Sequence, residues 1–136
     1  MLDFEKMAEY IFTAKQPLNL PRAQVFEFFS NAENLERITP PELGFNITTP
    51  LPIDIKKGTL IDYKLSLHGF PINWRTEITH WEPPFEFIDM QLRGPYKQWI
   101  HTHRFTEPER GKTLMEDEVR YRLPFEPLGD IVKFLV

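Results

Sequence analysis

A chain of 136 residues with 14% aromatics can build one domain around one core or apolar cavity, and is too short for two. Its net charge of −4 and pI near 5.6, with scattered basic residues, argue against a nucleic-acid binder. The absence of Cys excludes disulfides and thiolate chemistry, and no signal peptide or membrane-spanning run is visible, so we expect a cytoplasmic protein that does not insert into membranes.

The N-terminal third predicts one strand followed by two short helices. Residues 8–20 are rich in β-forming side chains, and we expect this strand to end near Pro17. Pro21 suits the first turn of a helix that would bury Val25, Phe26 and Phe29. A second helix, "AENLERIT", follows a cap at Ser30 or Asn31 and stops at Pro40–Pro41.

After Gly44 the pattern alternates between polar and apolar residues. It predicts six strands with short connections, one of them a turn at His68–Pro71. The strand segments are "FNITTP", "GTLIDYKLSLHG", "INWRTEITHWE", "FEFIDMQLR", "YKQWIHTHRFTE" and "TLMEDEVRYRLP". "DIVKFLV" then starts a helix after Pro127. Successive strands with short connections form an antiparallel meander, so we predict an α+β domain over residues 1–136 with the order β-α-α-β6-α.

That order is similar to the SRPBCC, START-like or Bet v 1-like superfamily, and the chain most resembles bacterial ligand-binding SRPBCC proteins of the polyketide cyclase/dehydrase-like type. The segments that carry the resemblance are "PRAQVFEFFSNAENLERITPP", "WRTEITHWEPPFEFIDMQLRGPYKQWIHTHRF" and "DEVRYRLP". The resemblance implies a helix-grip fold, in which a curved antiparallel sheet of about seven strands wraps a C-terminal helix and leaves a cavity between them. The family's closing helix is longer than the stretch after Pro127, so we expect that helix to be truncated here.

The segment "GPYKQWIHTHRF" places Trp99, His101, His103 and Phe105 on one face of a strand. In an antiparallel pair of strands, the numbers of facing residues add up to a constant. Pairing this face with the apolar face of the next strand requires that this sum is even. A sum of 220 sets His103 opposite Asp117, and a sum of 218 sets His101 there instead. In either register an aspartate meets a histidine on the inner face.

Four interpretations of this cluster remain open. The favoured one is structural pairing of buried polar groups. The second is contact with the polar end of a ligand in an apolar cavity. The third is acid–base catalysis by His101 or His103, with Asp117 fixing the tautomer. Metal binding is last, because His-x-His and one carboxylate leave no further ligand evident from the spacing, so we predict no metal and no cofactor.

An aromatic inner face extends from this cluster onto neighbouring strands. We expect Tyr63 and Leu65 to share it with Trp74, and the apolar set of the following strand, which includes Met90, to join them. The full set of predicted ligand-binding residues is Tyr63, Leu65, Trp74, Met90, Trp99, His101, His103, Asp117 and Tyr121.

Three functions follow from the residues and the resemblance. The first is binding of a small hydrophobic or amphipathic molecule between the sheet and the C-terminal helix. The second is a cyclase or dehydratase-like enzyme that uses His101 or His103 with Asp117 as its acid–base group. The third, suggested by the resemblance alone, is an accessory domain that docks on an epimerase-like partner. A homodimer remains open.

Overall fold

The computed structural model describes residues 8–123, which form one seven-stranded antiparallel sheet with two helices. The spatial order of the strands is β1-β7-β6-β5-β4-β3-β2. Their bounds are β1 Tyr10–Leu18, β2 Asn46–Ile47, β3 Leu60–Leu67, β4 Phe70–Glu82, β5 Glu86–Arg93, β6 Gln98–Glu109 and β7 Lys112–Arg122. The predicted order of strands and helices is confirmed across these residues. The helix predicted after Pro127 lies outside the described part of the chain.

Two helices connect β1 to β2 and cover one face of the sheet. Helix α1, Arg22–Phe29, starts directly after Pro21, and helix α2, Ala32–Ile38, is capped by Asn31, whose side chain accepts a hydrogen bond from the Glu33 backbone N–H at 3.0 Å. A single 3₁₀ turn, Pro41–Leu43, follows. Asn31 is one of the two caps, Ser30 or Asn31, that the sequence predicts. No helix within residues 8–123 is long and apolar enough to cross a bilayer.

The hairpin between β3 and β4 is tighter than the sequence predicts. Only His68 and Gly69 connect the strands, with φ of 52° and 81°, and Leu67 pairs directly with Phe70. Two residues with positive φ match the right-handed twist of the flanking strands and close a hairpin without further residues. The expected four-residue turn ending at Pro71 is therefore wrong, and β4 begins at Phe70.

The register between β6 and β7 follows the predicted sum of 220. His103 lies opposite Asp117, His101 opposite Val119, and Phe105 opposite Met115. Alternation excluded a shift by one residue, which would expose the apolar set, but left the sums of 220 and 218 both open, and the structure has 220.

The predicted inner face of β5 is wrong. An irregularity between Ile78 and His80 shifts the pairing, so that Asp89 lies opposite Ile78 on β4 and opposite His101 on β6. Phe87 and Asp89 therefore face the interior, while Met90 pairs with Ile100 on the other face of the sheet. Because Asp89 faces the cavity, its neighbour Met90 lies on the opposite face of β5 and away from the cavity.

Two apolar clusters fill the space between helices and sheet. The cluster under α1 contains Val25, Phe26, Phe87, Phe105 and Met115. The larger cluster contains Phe45, Ile47, Ile61, Tyr63, Leu65, Trp74, Ile78, Tyr96, Trp99 and Val119. A cavity remains where these clusters meet, and side chains from both of them line it.

Candidate functional site

The cavity lies between the inner face of the sheet and the segment that joins α1 to α2. It encloses about 90 Å³. Most of its wall is apolar: Phe29, Ala32, Leu35, Phe45, Ile47, Ile55, Ile61, Ile78 and Phe87. Its polar groups come from Ser30, Asn31, Tyr63, Thr76, Asp89, His101 and His103. An apolar wall with a few polar groups on one side is typical of a small-molecule site.

Three adjacent strands supply the polar cluster at the floor of this cavity. His101 and His103 occupy alternate positions on β6, so both side chains leave by the inner face. Asp89 on β5 lies opposite His101, and Asp117 on β7 lies opposite His103. The two histidines therefore stand between two carboxylates, one on each neighbouring strand. We call these four residues the His–Asp cluster.

The contacts within the His–Asp cluster are short. His101 Nε2 lies 2.9 Å from Asp117 Oδ1, and His103 Nδ1 lies 3.3 Å from the same oxygen. His103 Nε2 lies 2.6 Å from Asp89 Oδ2, whereas His101 Nδ1 is 3.9 Å from that atom. The two imidazole rings stack with centroids 3.6 Å apart, and Phe87 stacks on His103 at 4.0 Å. This packing restricts the histidine rings to one orientation.

At neutral pH the surroundings keep one of the two histidines charged and the other neutral. Burial disfavours the charged form of His103, but hydrogen bonds to Asp117 and Asp89 outweigh it and raise the pKa of His103 to about 9. Burial, together with the neighbouring charge of His103, holds the pKa of His101 below its usual value. His103 is therefore an imidazolium beside a neutral His101.

Asp117 stays ionised and determines the tautomer of His101. Burial works against its carboxylate, but hydrogen bonds from His101 and His103 lower the pKa of Asp117 well below the usual range. An ionised carboxylate only accepts hydrogen bonds, so the proton of neutral His101 lies on Nε2, facing Asp117. His101 Nδ1 then carries a lone pair that can accept a hydrogen bond or a proton.

Tyr63 and Thr76 add two hydroxyl groups beside the His–Asp cluster. Burial raises the pKa of Tyr63, and the negative charge of Asp89 adds to the effect, so the phenol stays neutral. Thr76 Oγ1 accepts a hydrogen bond from Trp74 Nε1 at 3.1 Å. Trp74 therefore supports the floor of the cavity from the core side.

Asp89, His101 and His103 are also close enough to be considered as a metal site. One potential ligand atom from each lies within 4.8 Å of the others. His103, however, donates from Nε2 to Asp89 and holds Nδ1 3.3 Å from Asp117, and a metal ion would have to displace the proton of the 2.6 Å hydrogen bond. The arrangement fits a hydrogen-bond network better than a metal centre. His80, Glu82 and Glu86 form a second group of this kind toward the surface.

The predicted site residues occupy four kinds of position. Tyr63, His101 and His103 line the cavity, and Asp117 lies behind the two histidines. Leu65, Trp74 and Trp99 are core residues outside the cavity lining, each about 2% exposed. Tyr121 packs on Tyr10, with ring centroids 5.6 Å apart. Met90, as described above, lies on the opposite face.

Sequence reasoning missed Asp89 and Phe87. Asp89 alternates with Ile88 and Met90, and the inner set expected on this strand included Met90, so the pattern left Asp89 outside the cavity; an inward-facing aspartate is rare unless it is paired. Only its partner His103, on the next strand, makes the inward position favourable. The lining residues on α1 and α2 carried no sequence signal that separates them from ordinary core.

No family model matches the sequence, and no curated protein does. Solved structures do match. Protein CV1439 from Chromobacterium violaceum is 13% identical with a TM-score of 0.71, over 92% of this chain and 93% of that one. A point mutant of norcoclaurine synthase from Thalictrum flavum, in complex with a transition-state analogue, is 11% identical with a TM-score of 0.70, over 96% and 86%. The Zhui aromatase/cyclase from Streptomyces sp. R1128 is 14% identical with a TM-score of 0.69, over 90% and 72%.

Identities of this size establish a shared fold and leave function to be argued from the site itself. The described strands and helices, matched over nine-tenths of the chain, confirm the architecture that the resemblance predicted. The chain therefore shares the α+β fold of these solved structures, which is the fold that its resemblance to the SRPBCC, or Bet v 1-like, superfamily implies.

Proposed function

We propose that the chain binds a small hydrophobic or amphipathic molecule in the cavity between the sheet and the helices. The observation that carries the proposal is an apolar cavity with the His–Asp cluster at its floor. The apolar part of the ligand would lie against side chains such as Ile47, Ile61 and Phe45, since burial contributes about 25 cal/mol per Å² of apolar surface. The polar end would contact the cluster.

The state of Asp89 supports ligand contact over plain structural pairing. Its Oδ2 accepts from His103, but its Oδ1 accepts no hydrogen bond from any residue in the described part of the chain. Asp89 lines the cavity and its side chain is 18% exposed, so a ligand donor can reach this oxygen. Two proteins with this fold, the aromatase/cyclase and the norcoclaurine synthase mutant with its transition-state analogue, act on or hold small molecules, which is consistent with the proposal.

A cavity-filling variant tests the proposal. Ala32 on α2 lines the cavity, and Ala32→Trp would place an indole where the ligand lies. Ala23 on α1 is exposed, so Ala23→Trp adds the same side chain outside the cavity. The readout is the fluorescence of the neutral apolar probe N-phenyl-1-naphthylamine in a titration with each protein.

We expect saturable binding of the probe to the wild type and to A23W, and at least tenfold weaker binding to A32W. Equal binding to A32W and the wild type would place the probe outside the cavity and contradict the proposal. Near-ultraviolet circular dichroism of both variants verifies that the fold is retained.

One observation favours a second candidate function, proton transfer to or from a bound ketone. His101 is neutral, its tautomer is fixed by Asp117, and Nδ1 is the nitrogen that remains to act as a base. The test is incorporation of solvent deuterium next to the carbonyl of 4-phenyl-2-butanone, followed by NMR. Wild type should exchange this proton about 100-fold faster than His101→Gln, within the usual range for a general base. Equal rates would exclude His101 as that base.

A further inference from the structure

The charge of the cavity points to the chemical class of its ligand. Resting on the proposed function, we infer that the cavity selects a molecule whose polar end donates hydrogen bonds and is cationic or neutral, an amine first and an alcohol second. By the same argument it discriminates against a carboxylate of similar shape. Neither preference follows from the fold, which is shared by proteins of different function.

The charge that surrounds the polar end of the cavity disfavours an anionic ligand. No lysine or arginine lines the cavity within residues 8–123. The His–Asp cluster holds two carboxylates, and its only cation is an imidazolium. The cluster therefore has a net negative charge when one histidine is protonated, and no net charge when both are protonated. A ligand carboxylate would be desolvated next to like charges, which is unfavourable in a low-dielectric site.

The hydrogen-bond donors of the cluster already face carboxylates. His103 directs both of its ring N–H groups at carboxylates, Nε2 at Asp89 and Nδ1 at Asp117. His101 directs its Nε2–H at Asp117. The N–H groups of the cluster therefore already face carboxylates, and an anionic ligand would compete with those carboxylates for them. The neutral hydroxyls of Tyr63 and Thr76 are the donors that remain beside the cluster.

The cluster has hydrogen-bond acceptors that its own donors do not use. His101 Nδ1 is 3.9 Å from Asp89 Oδ2, too far for a hydrogen bond and with no proton to share if His101 is neutral. Asp89 Oδ1 also accepts nothing from the described residues. An ammonium group brings three donors and a positive charge to this pair of acceptors, and a hydroxyl brings one donor.

The test uses three probes of nearly equal shape: 2-phenylethylamine, 2-phenylethanol and 3-phenylpropanoate. Their dissociation constants are measured near neutral pH by ligand-observed NMR, with A32W to subtract binding outside the cavity. We expect the amine to bind at least tenfold more tightly than the carboxylate, with the alcohol between them. Asp89→Asn should cost the amine about tenfold and the alcohol less than threefold. Asp62→Asn, at a half-exposed carboxylate paired with Arg75, should change none of the three.

The outcomes separate the inference from the proposed function. If the three probes bind with equal affinity, or the carboxylate binds best, the cavity binds small molecules but the inferred selectivity is wrong. If Asp89→Asn leaves the ratio of amine to carboxylate unchanged, the selectivity does not come from Asp89, and the inference fails. If none of the probes binds to the wild type in the cavity, the proposed function fails, and the inference fails with it.

Discussion

Replacing His103 by glutamine should remove most of the pH dependence of folding stability above neutral pH. His103 is the histidine whose charged form the folded state stabilises, through Asp89 at 2.6 Å and Asp117 at 3.3 Å. Glutamine keeps a hydrogen-bond donor at a similar distance from the backbone but carries no charge. The substitution therefore tests the charge of His103 and leaves much of the packing in place.

The sign and size of the effect follow from the two pKa values of His103. The pKa is near 6.5 in the unfolded chain and about 9 in the folded one, so the group stabilises the fold fully below pH 6.5. That contribution is lost as the pH rises through 9. The difference between the two values corresponds to about 3 kcal/mol, of which about 2 kcal/mol should be lost between pH 7 and 9.5. The lowered pKa of His101 acts below pH 6.5 and in the opposite direction, since its contribution is lost as the pH falls.

Urea unfolding followed by tryptophan fluorescence measures this directly, because Trp74 and Trp99 are buried. The free energy of unfolding is determined at several values between pH 7 and 9.5. Wild type and the control His68→Asn should lose about 2 kcal/mol over this range. His68 is exposed in the β3–β4 turn, where asparagine also tolerates positive φ. H103Q should have a nearly flat profile. A flat wild-type profile, or the same slope in H103Q, would refute the reasoning.

Three further predictions concern the fold, and each is measured as the change in unfolding free energy or in Tm. Phe105 is 1% exposed and its ring lies 5.2 Å from that of Phe26, so Phe105→Ala should cost about 3–5 kcal/mol; a loss below about 1 kcal/mol would mean that α1 does not depend on this contact. Arg75 forms a two-bond ion pair with Asp62 at 2.8 and 3.1 Å, but both side chains are 40% exposed, so Arg75→Gln should leave the midpoint of urea unfolding nearly unchanged, and a clear shift of that midpoint to lower urea would contradict this expectation. Gly69→Ala should destabilise the hairpin by about 1 kcal/mol and lower Tm by a few degrees, because φ is 81° there; an unchanged Tm would show that the turn relaxes.

The sequence was informative wherever hydrophobic alternation and local signals agreed. On β6 and β7 the inner residues were apolar apart from His101, His103 and Asp117, and the short turn left few registers. The sequence therefore predicted that Asp117 lies opposite either His103 or His101. The structure places it opposite His103 and in contact with both histidines. Asn31 was recognised as a helix cap because its residue type and its position before an apolar-periodic segment pointed to the same helix start.

The prediction failed on β5, where polar residues point inward and find their partners only in three dimensions. Asp89 is paired with His103 on the adjacent strand. Gln91, opposite inward-facing Thr76, bonds the Tyr96 backbone with both ends of its amide, at 2.7 and 3.1 Å. A pattern of hydrophobicity places such residues on the solvent face, because it counts the cost of burial and cannot see the partner that offsets it. Asp89, one of the two carboxylates of the His–Asp cluster, was therefore invisible to alternation.

The measurement that tests the central claim most directly is native mass spectrometry of the wild-type chain and of A32W, both purified from the native host. Extraction and identification of any bound molecule would follow. Our account predicts one small molecule per wild-type chain, carrying an amine or hydroxyl at one end of an apolar body, and its absence from A32W. A wild-type chain that is empty from its host and stays empty after exposure to hydrophobic metabolites would contradict the account, as would a molecule that A32W retains equally.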